Sequence, residues 1–255
     1  MNTNRAKERY LRDGFVVRPD ILTIEHCDTL TNDLLRWFEN QSISENHYGI
    51  LFHNLYAEIP SFLTLLEDGI LQREAEVIYG SSLVFFQDNL IWKPPSSQEA
   101  INWHQDYSYW PLSKPSGITL WLALDDATLD NGCLQFCRHS HRQGECIPND
   151  FIANTPAQWA TSLPTLKIQQ HDIQQLTLAK GSVSLHHPLV AHTSAPNTSH
   201  HHRRAWSITF VDPNIQWDFL HAPHPYRYQF SCNTEDLPKE QNHSISLCPP
   251  PIKKL

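Results

Sequence analysis

From Leu83 onward the chain alternates apolar and polar residues in short runs: Leu83–Lys93, Ile118–Asp125, Cys133–Cys137, Leu176–Leu178, Ser182–His187 and Arg204–Val211. Pro, Asn and Gly fall between the runs, and no stretch of helical period separates them. A period of two sends successive side chains to opposite faces of a strand. Short strands at this spacing, without crossover helices, predict a sandwich or jelly roll rather than a parallel βαβ sheet. The alternation also sorts residues by face. Ile118, Leu120, Leu122 and Leu124 point one way, and Thr119, Trp121 and Ala123 the other. Gln87, Asn89 and Lys93 share a face opposite Phe86, Leu90 and Trp92. In the last run Arg203, Ala205, Ser207 and Thr209 lie opposite Arg204, Trp206, Ile208 and Phe210. A barrel filled only by its own core has no use for a cation on that second face twice. These polar inner faces predict a lumen that holds a ligand.

Upstream, the period is helical. Tyr10, Leu11 and Phe15, then Ile24, Cys27, Leu30, Leu34, Leu35 and Phe38, recur at steps of three and four. Asp13-Gly14 interrupts the pattern, and Thr23 suits the start of a second helix. A third helix is expected over Ser61–Ile78, ending before Gly80. Helices with one apolar face need a sheet to cover. The expected organisation is one domain: helical support over about 1–80, a jelly-roll core over about 81–212, and an irregular extension over about 213–255. The polar, Pro-containing stretch Phe151–Gln175 is expected to form a long loop or lid.

Composition excludes several functions. Hydrophobic residues are 40% and charged residues 18%, a globular balance. A formal charge of −8 argues against a nucleic-acid surface, and Lys253-Lys254 is too short to change that. Met1 is followed by polar Asn2-Thr3-Asn4-Arg5, and no run approaches a membrane span, which gives a cytoplasmic expectation without membrane contact. The six cysteines form no CxxC and are expected to be reduced, buried thiols. His200-His201-His202 reads as a solvated loop before Arg203.

His104-Gln105-Asp106 carries an HxD pair; His192 follows Asp106 by 86 residues, and Arg203 stands 11 further on. Two imidazoles and one carboxylate on one face of a metal, with the other positions open, are the ligands of non-haem Fe(II) oxygenases. HxD alone is weak, because two such residues also hydrogen-bond each other at strand edges. Its surroundings are more specific: Asn102-Trp103 before it, then Asp130-Asn131-Gly132-Cys133-Leu134, Ser140-His141-Arg142, Lys180-Gly181-Ser182, and His192 through Asn197. This ordered series resembles the phytanoyl-CoA dioxygenase (PhyH-like) family of 2-oxoglutarate-dependent oxygenases, over roughly Tyr10 to Asp212.

The resemblance implies a double-stranded β-helix (jelly-roll, cupin-like fold) with N-terminal helices flanking it. It implies Fe(II) held by His104, Asp106 and His192, with 2-oxoglutarate and O₂ as cosubstrates and ascorbate as a stimulating reductant. Arg203 is then expected to fork onto the distal carboxylate of 2-oxoglutarate. Ser194, Lys93, Trp121 and Gln105 are implied as its neighbours, although alternation turns Gln105 away from the metal. Gln87, Asn89, Tyr107, Tyr109 and Trp110 are the substrate-side candidates. Related halogenases carry a small residue in place of the carboxylate, so Asp106 implies hydroxylation-type chemistry. His186 as a third histidine ligand would consume an open position. The expected activity is oxidation of a C–H bond in a small polar metabolite or natural-product intermediate, by a monomer or homodimer. A cupin-type metal enzyme that uses no 2-oxoglutarate and a non-catalytic metabolite-binding barrel are the alternatives.

Overall fold

A computed structural model describes residues 2–40, 50–146, 168–218 and 221. Helix α1 (Thr3–Asp13) starts at Asn2, whose side chain accepts from the Asn4 amide. It stops at Gly14, where φ of 90° suits a residue without a Cβ. The chain then enters strand β1 (Phe15–Arg18), which the helical reading of Phe15 missed. Helix α2 (Ile24–Glu39) is capped by the Thr23 hydroxyl, which accepts from the His26 amide. Strand β2 (Ile50–His53) and the short helix α3 (Leu55–Glu58) follow. The single helix expected over Ser61–Ile78 is two, α4 (Pro60–Glu67) and α5 (Ile70–Tyr79). Gly69, at φ 68°, breaks them.

The remaining strands are β3 (Val84–Lys93), β4 (Ile101–His104), β5 (Gly117–Ala123), β6 (Leu134–Cys137), β7 (Ile173–Leu176), β8 (Val183–His186), β9 (His192–Ser194) and β10 (Arg203–Val211). Among the described residues they form two antiparallel sheets, ordered β1-β8-β5-β10-β3-β2 and β4-β9-β6-β7. This is the predicted jelly roll, with the helices on the outer face of the larger sheet. In the stretch expected to be a loop, a 3-10 turn (Gln170–Asp172) leads into strand β7; residues 151–167 lie outside the described residues, as do Cys232 and Cys248. Cys27, Cys133, Cys137 and Cys146 are buried free thiols.

Burial follows the alternation. Ile118, Leu120, Leu122, Leu124, Trp206, Ile208 and Phe210 pack with the helices in the largest core cluster. Trp121, Ala123 and Ala205 face the smaller sheet, beside Leu134 and Phe136. Phe15 stacks on Phe136 at 4.4 Å between ring centroids, tying β1 to the opposite sheet. Such a pair adds about 0.5–1.5 kcal/mol beyond its burial. The exception is Phe86. A bulge opposite Thr209 and Phe210 sets Phe85 against Phe210 and moves Phe86 out of the outer face. Phe86 packs instead with Tyr107, Trp110 and Ile215. Of the C-terminal extension, the described residues run beside this cluster through an isolated Leu112–Trp217 bridge. Residues 219, 220 and 222–255 lie outside the described set.

Candidate metal centre

Strands β4 and β9 pair with His104 opposite His192, so the sheet itself brings two imidazoles together, 4.0 Å apart between ring centroids. The chain leaves β4 through Gln105 into a 3-10 turn, Asp106–Tyr109, which swings Asp106 back beside them. One nitrogen from each histidine and one oxygen of Asp106 lie within 4.8 Å of one another, the one such cluster found among the described residues. Asp106 Oδ1 is 3.8 Å from His104 Nε2 and 3.4 Å from His192 Nε2. The other ring nitrogens are fixed by backbone: His104 Nδ1 lies 2.9 Å from the Asn102 carbonyl and His192 Nδ1 3.0 Å from the Val190 carbonyl. A carbonyl only accepts, so each Nδ1 carries the proton and each Nε2 directs its lone pair at the shared point. Burial pushes both imidazoles below their ordinary pKa and keeps them neutral. Burial alone would raise Asp106, but His192, the hydrogen bond from His186 and the remaining imidazoles hold it well below the carboxylate range. One anionic oxygen and two neutral nitrogens suit a divalent metal of the first transition row.

The wall of the site is the inner face of the larger sheet. Register aligns Thr209 with Gln87 and Thr119, Ser207 with Asn89 and Trp121, Ala205 with Ile91 and Ala123, and Arg203 with Lys93. Thr119 and Trp121 pair in turn with His186 and Ser184. Arg203 is 1% exposed, yet its Nε, Nη1 and Nη2 have no hydrogen-bond partner among the described residues. Its guanidinium lies 5.5 Å from the Trp121 ring centroid. Burial lowers its pKa to about 10. Trp121 Nε1, Ser184 Oγ and Ser194 Oγ are likewise buried without partners among the described residues. Lys93 is 1% exposed; its ammonium donates to the Ser194 and Ala195 carbonyls, and burial, then Arg203, lower its pKa to about 6. Buried polar groups in native proteins nearly always have partners. A cluster of orphaned donors around a guanidinium fits a buried carboxylate ligand. Arg204, on the opposite face, forks onto Asp125 at 2.7 and 2.8 Å.

Three of the expected site residues lie elsewhere. Gln105 is fully buried and committed to backbone: its amide donates to the Gly144 and Leu189 carbonyls and its oxygen accepts from the Cys146 amide. It braces the metal motif and does not reach a cosubstrate. The Tyr107 hydroxyl donates to the Leu112 carbonyl and its ring stacks on His221, while Trp110 is 2% exposed against Phe86. Both are packing residues rather than a barrel mouth. Tyr109 is half-buried, its ring 6.0 Å from that of His104. His186, expected near the site from its place just before His192, lies with Nε2 3.0 Å from Asp106 Oδ2. The Thr119 hydroxyl, 2.7 Å from the same oxygen, was legible only as an inward strand position. His202 accepts from Trp92 Nε1, so the histidine tract is partly tied to the barrel.

A jelly roll carrying a two-histidine, one-carboxylate cluster beside a buried arginine is the architecture of a non-haem metal oxygenase fold. The chain belongs to the phytanoyl-CoA dioxygenase (PhyH) family, whose sequence pattern matches residues 10–205. It is 27% identical over 188 residues to a phytanoyl-CoA dioxygenase domain-containing protein 1 homologue of Caenorhabditis briggsae, covering 69% of this chain and 64% of that protein. It is 29% identical over 170 residues to the peroxisomal phytanoyl-CoA dioxygenase of Bos taurus, covering 63% and 48%. The chain thus spans less than two thirds of the length of these relatives. Among solved structures, EvdO2 from Micromonospora carbonacea var. aurantiaca superposes with a TM-score of 0.73 at 21% identity, covering 89% of this chain and 97% of that one. The epimerase SnoN, in complex with Fe³⁺, alpha ketoglutarate and nogalamycin RO, gives 0.72 at 18% identity, covering 95% and 93%.

Proposed function

We propose that this chain is an Fe(II)- and 2-oxoglutarate-dependent dioxygenase that oxidises a C–H bond of a small-molecule metabolite or natural-product intermediate. The carrying observation is Arg203: a buried guanidinium with three unpartnered nitrogens on the wall that faces the His–Asp–His cluster. His104, Asp106 and His192 would hold the iron, which would supply the O₂ chemistry of oxidative keto-acid decarboxylation and substrate oxidation. Arg203 takes the distal carboxylate as a planar fork, with Ser194 Oγ and Trp121 Nε1 as further donors. Lys93, opposite Arg203 in register, lies at the same end of the site. Gln87, Asn89 and Tyr109 are the polar side chains assigned to the substrate side of the site. The ring of buried strands keeps bulk water from these charges and strengthens each of them. A 2-oxoglutarate-independent metal enzyme would have no use for Arg203 and Lys93 at this depth.

Substrate class rests on the structural relatives, SnoN and the carbocyclase SnoK of nogalamycin biosynthesis, which belong to natural-product assembly. The test is anaerobic titration of the Mn(II)-loaded protein with 2-oxoglutarate, followed by a substrate panel scored for succinate in the Fe(II) enzyme under O₂. Absence of 2-oxoglutarate binding by metal-loaded protein would sink the reading.

A further inference from the structure

The two oxygens of Asp106 have different surroundings. Oδ1 faces His104 Nε2 and His192 Nε2. Oδ2 receives the Thr119 hydroxyl at 2.7 Å and His186 Nε2 at 3.0 Å. Thr119 and His186 are lateral partners on β5 and β8, so two neighbouring rigid strands aim both donors at one atom. Thr119 is itself steadied by the Thr209 hydroxyl, 3.4 Å away on β10. His186 is 2% exposed. Facing a carboxylate oxygen, its Nε2 carries the proton, and a protonated nitrogen has no lone pair for a metal. Its Nδ1 is buried without a hydrogen-bond partner among the described residues.

We infer that Thr119 and His186 are positioning residues that hold Asp106 Oδ2 away from the metal, so that Asp106 ligates through Oδ1 alone. This deepens the proposed oxygenase reading and rests on it. His186 thereby ceases to be a competing third histidine. Loss of the two donors frees Asp106 to turn about its terminal torsion and present both oxygens, taking up a coordination position that the keto acid needs. Two effects then appear together: weaker metal binding, because the ligand is no longer preorganised, and weaker 2-oxoglutarate binding to metal-loaded protein.

The experiment uses the whole chain and Mn(II), followed by electron paramagnetic resonance, with 2-oxoglutarate binding to the Mn(II)-loaded protein measured by calorimetry. Thr119→Val and His186→Leu remove one donor each; Thr119→Ser and His186→Gln retain one. The first pair should weaken Mn(II) binding about 10- to 100-fold, the usual cost of losing a partner of a metal ligand. The second pair should recover to within about threefold of the wild type. Thr119→Val is nearly isosteric, and its melting temperature reports whether it folds. Wild-type Mn(II) and 2-oxoglutarate affinities in a folded Thr119→Val protein would overturn the inference. So would a His186→Gln protein no better than His186→Leu. A wild-type protein that binds Mn(II) but not 2-oxoglutarate would instead overturn the cosubstrate reading, and one with no affinity for Mn(II) the metal assignment itself.

Discussion

Replacing Arg203 by methionine should separate ligand binding from stability, because the same side chain serves one at the expense of the other. Arg203 is 1% exposed and has no hydrogen-bond partner among the described residues, and Lys93 stands opposite it in register. Its pKa falls from the ordinary 12.5 to about 10 through burial. At about 1.4 kcal/mol per tenfold change, that fall corresponds to at most about 3 kcal/mol of unfavourable free energy in holding the charge. Methionine keeps much of the length, fills the volume and carries no charge. Arg203→Met should therefore raise the stability of the ligand-free protein, by up to about 6 °C at about 2 °C per kcal/mol for a chain of this size. The same change removes a charge-assisted bidentate pair worth about 2–4 kcal/mol, so 2-oxoglutarate affinity should fall about 30- to 1000-fold. Arg204→Met is the control. It breaks the fork onto Asp125 and strands a mostly buried carboxylate, which should cost about 1–3 kcal/mol of stability and leave 2-oxoglutarate affinity unchanged. Thermal melts without ligand, paired with calorimetric titration of Mn(II)-loaded protein, read both quantities. An Arg203→Met protein that melts lower than wild type and still binds 2-oxoglutarate normally would refute the reasoning, and a reversed pattern in the two variants would put the strand register off by one residue.

His192→Ala, made together with alanines at His200, His201 and His202, should abolish tight Mn(II) or Co(II) binding, whereas the triple change alone should not; full affinity in the first protein would exclude the cluster as the metal site. Asp88 is buried, accepts from Trp206 Nε1 and the Tyr56 amide, and burial raises its pKa to about 6. A carboxyl raised in the folded state binds its proton more tightly folded than unfolded. Stability from this group is therefore full below pH about 4 and lost as pH rises through 6, by about 3 kcal/mol in all. Asp88→Asn keeps the acceptor and should flatten that slope in urea titrations at pH 4 and 7.5; an unchanged slope would exclude Asp88 as its source. With Asp106 as the proposed carboxylate ligand, no position is left for halide, so turnover in chloride buffer under ¹⁸O₂ should give labelled product and labelled succinate without chlorine. Asp106→Gly should lose most of the oxidation and weaken metal binding, and chlorinated product from the wild type would refute the hydroxylase reading.

The strands that form the wall of the site were legible because both of their faces are buried against different things. Apolar Leu120, Leu122 and Ile208 meet helices, polar Thr119 and Ser207 line the lumen, and period two separates them without further information. The same alternation told Arg203 from Arg204. Sequence failed where one residue resets a register. Gly14 turns a helix into a strand at Phe15, Gly69 cuts a helix in two, and the bulge at Phe86 moves a phenylalanine between clusters. These are local decisions made by tertiary packing, and periodicity averages over them. The bracing of Asp106 was out of reach for another reason. His186 stood out only as a possible third ligand, and nothing in the sequence says that it donates to Asp106 across 80 residues of chain. Tyr107 and Trp110 looked like substrate contacts because they follow the metal motif, but their neighbours Leu112, Phe86 and His221 close over them.

That span also orders events in the life of the chain. Every pairing that builds the centre is between strands far apart in sequence: β4 with β9, β5 with β8, β3 with β10. On the ribosome, His104 and Asp106 emerge long before the segment carrying His186 and His192; at about 5–20 residues per second the interval is about 4–16 s. Topologies dominated by such distant contacts also fold slowly once complete. During synthesis the half-built motif offers only two of the three side chains that make up the cluster. Metal capture is therefore a late step, set by closure of the last strands rather than by the availability of the first ligands.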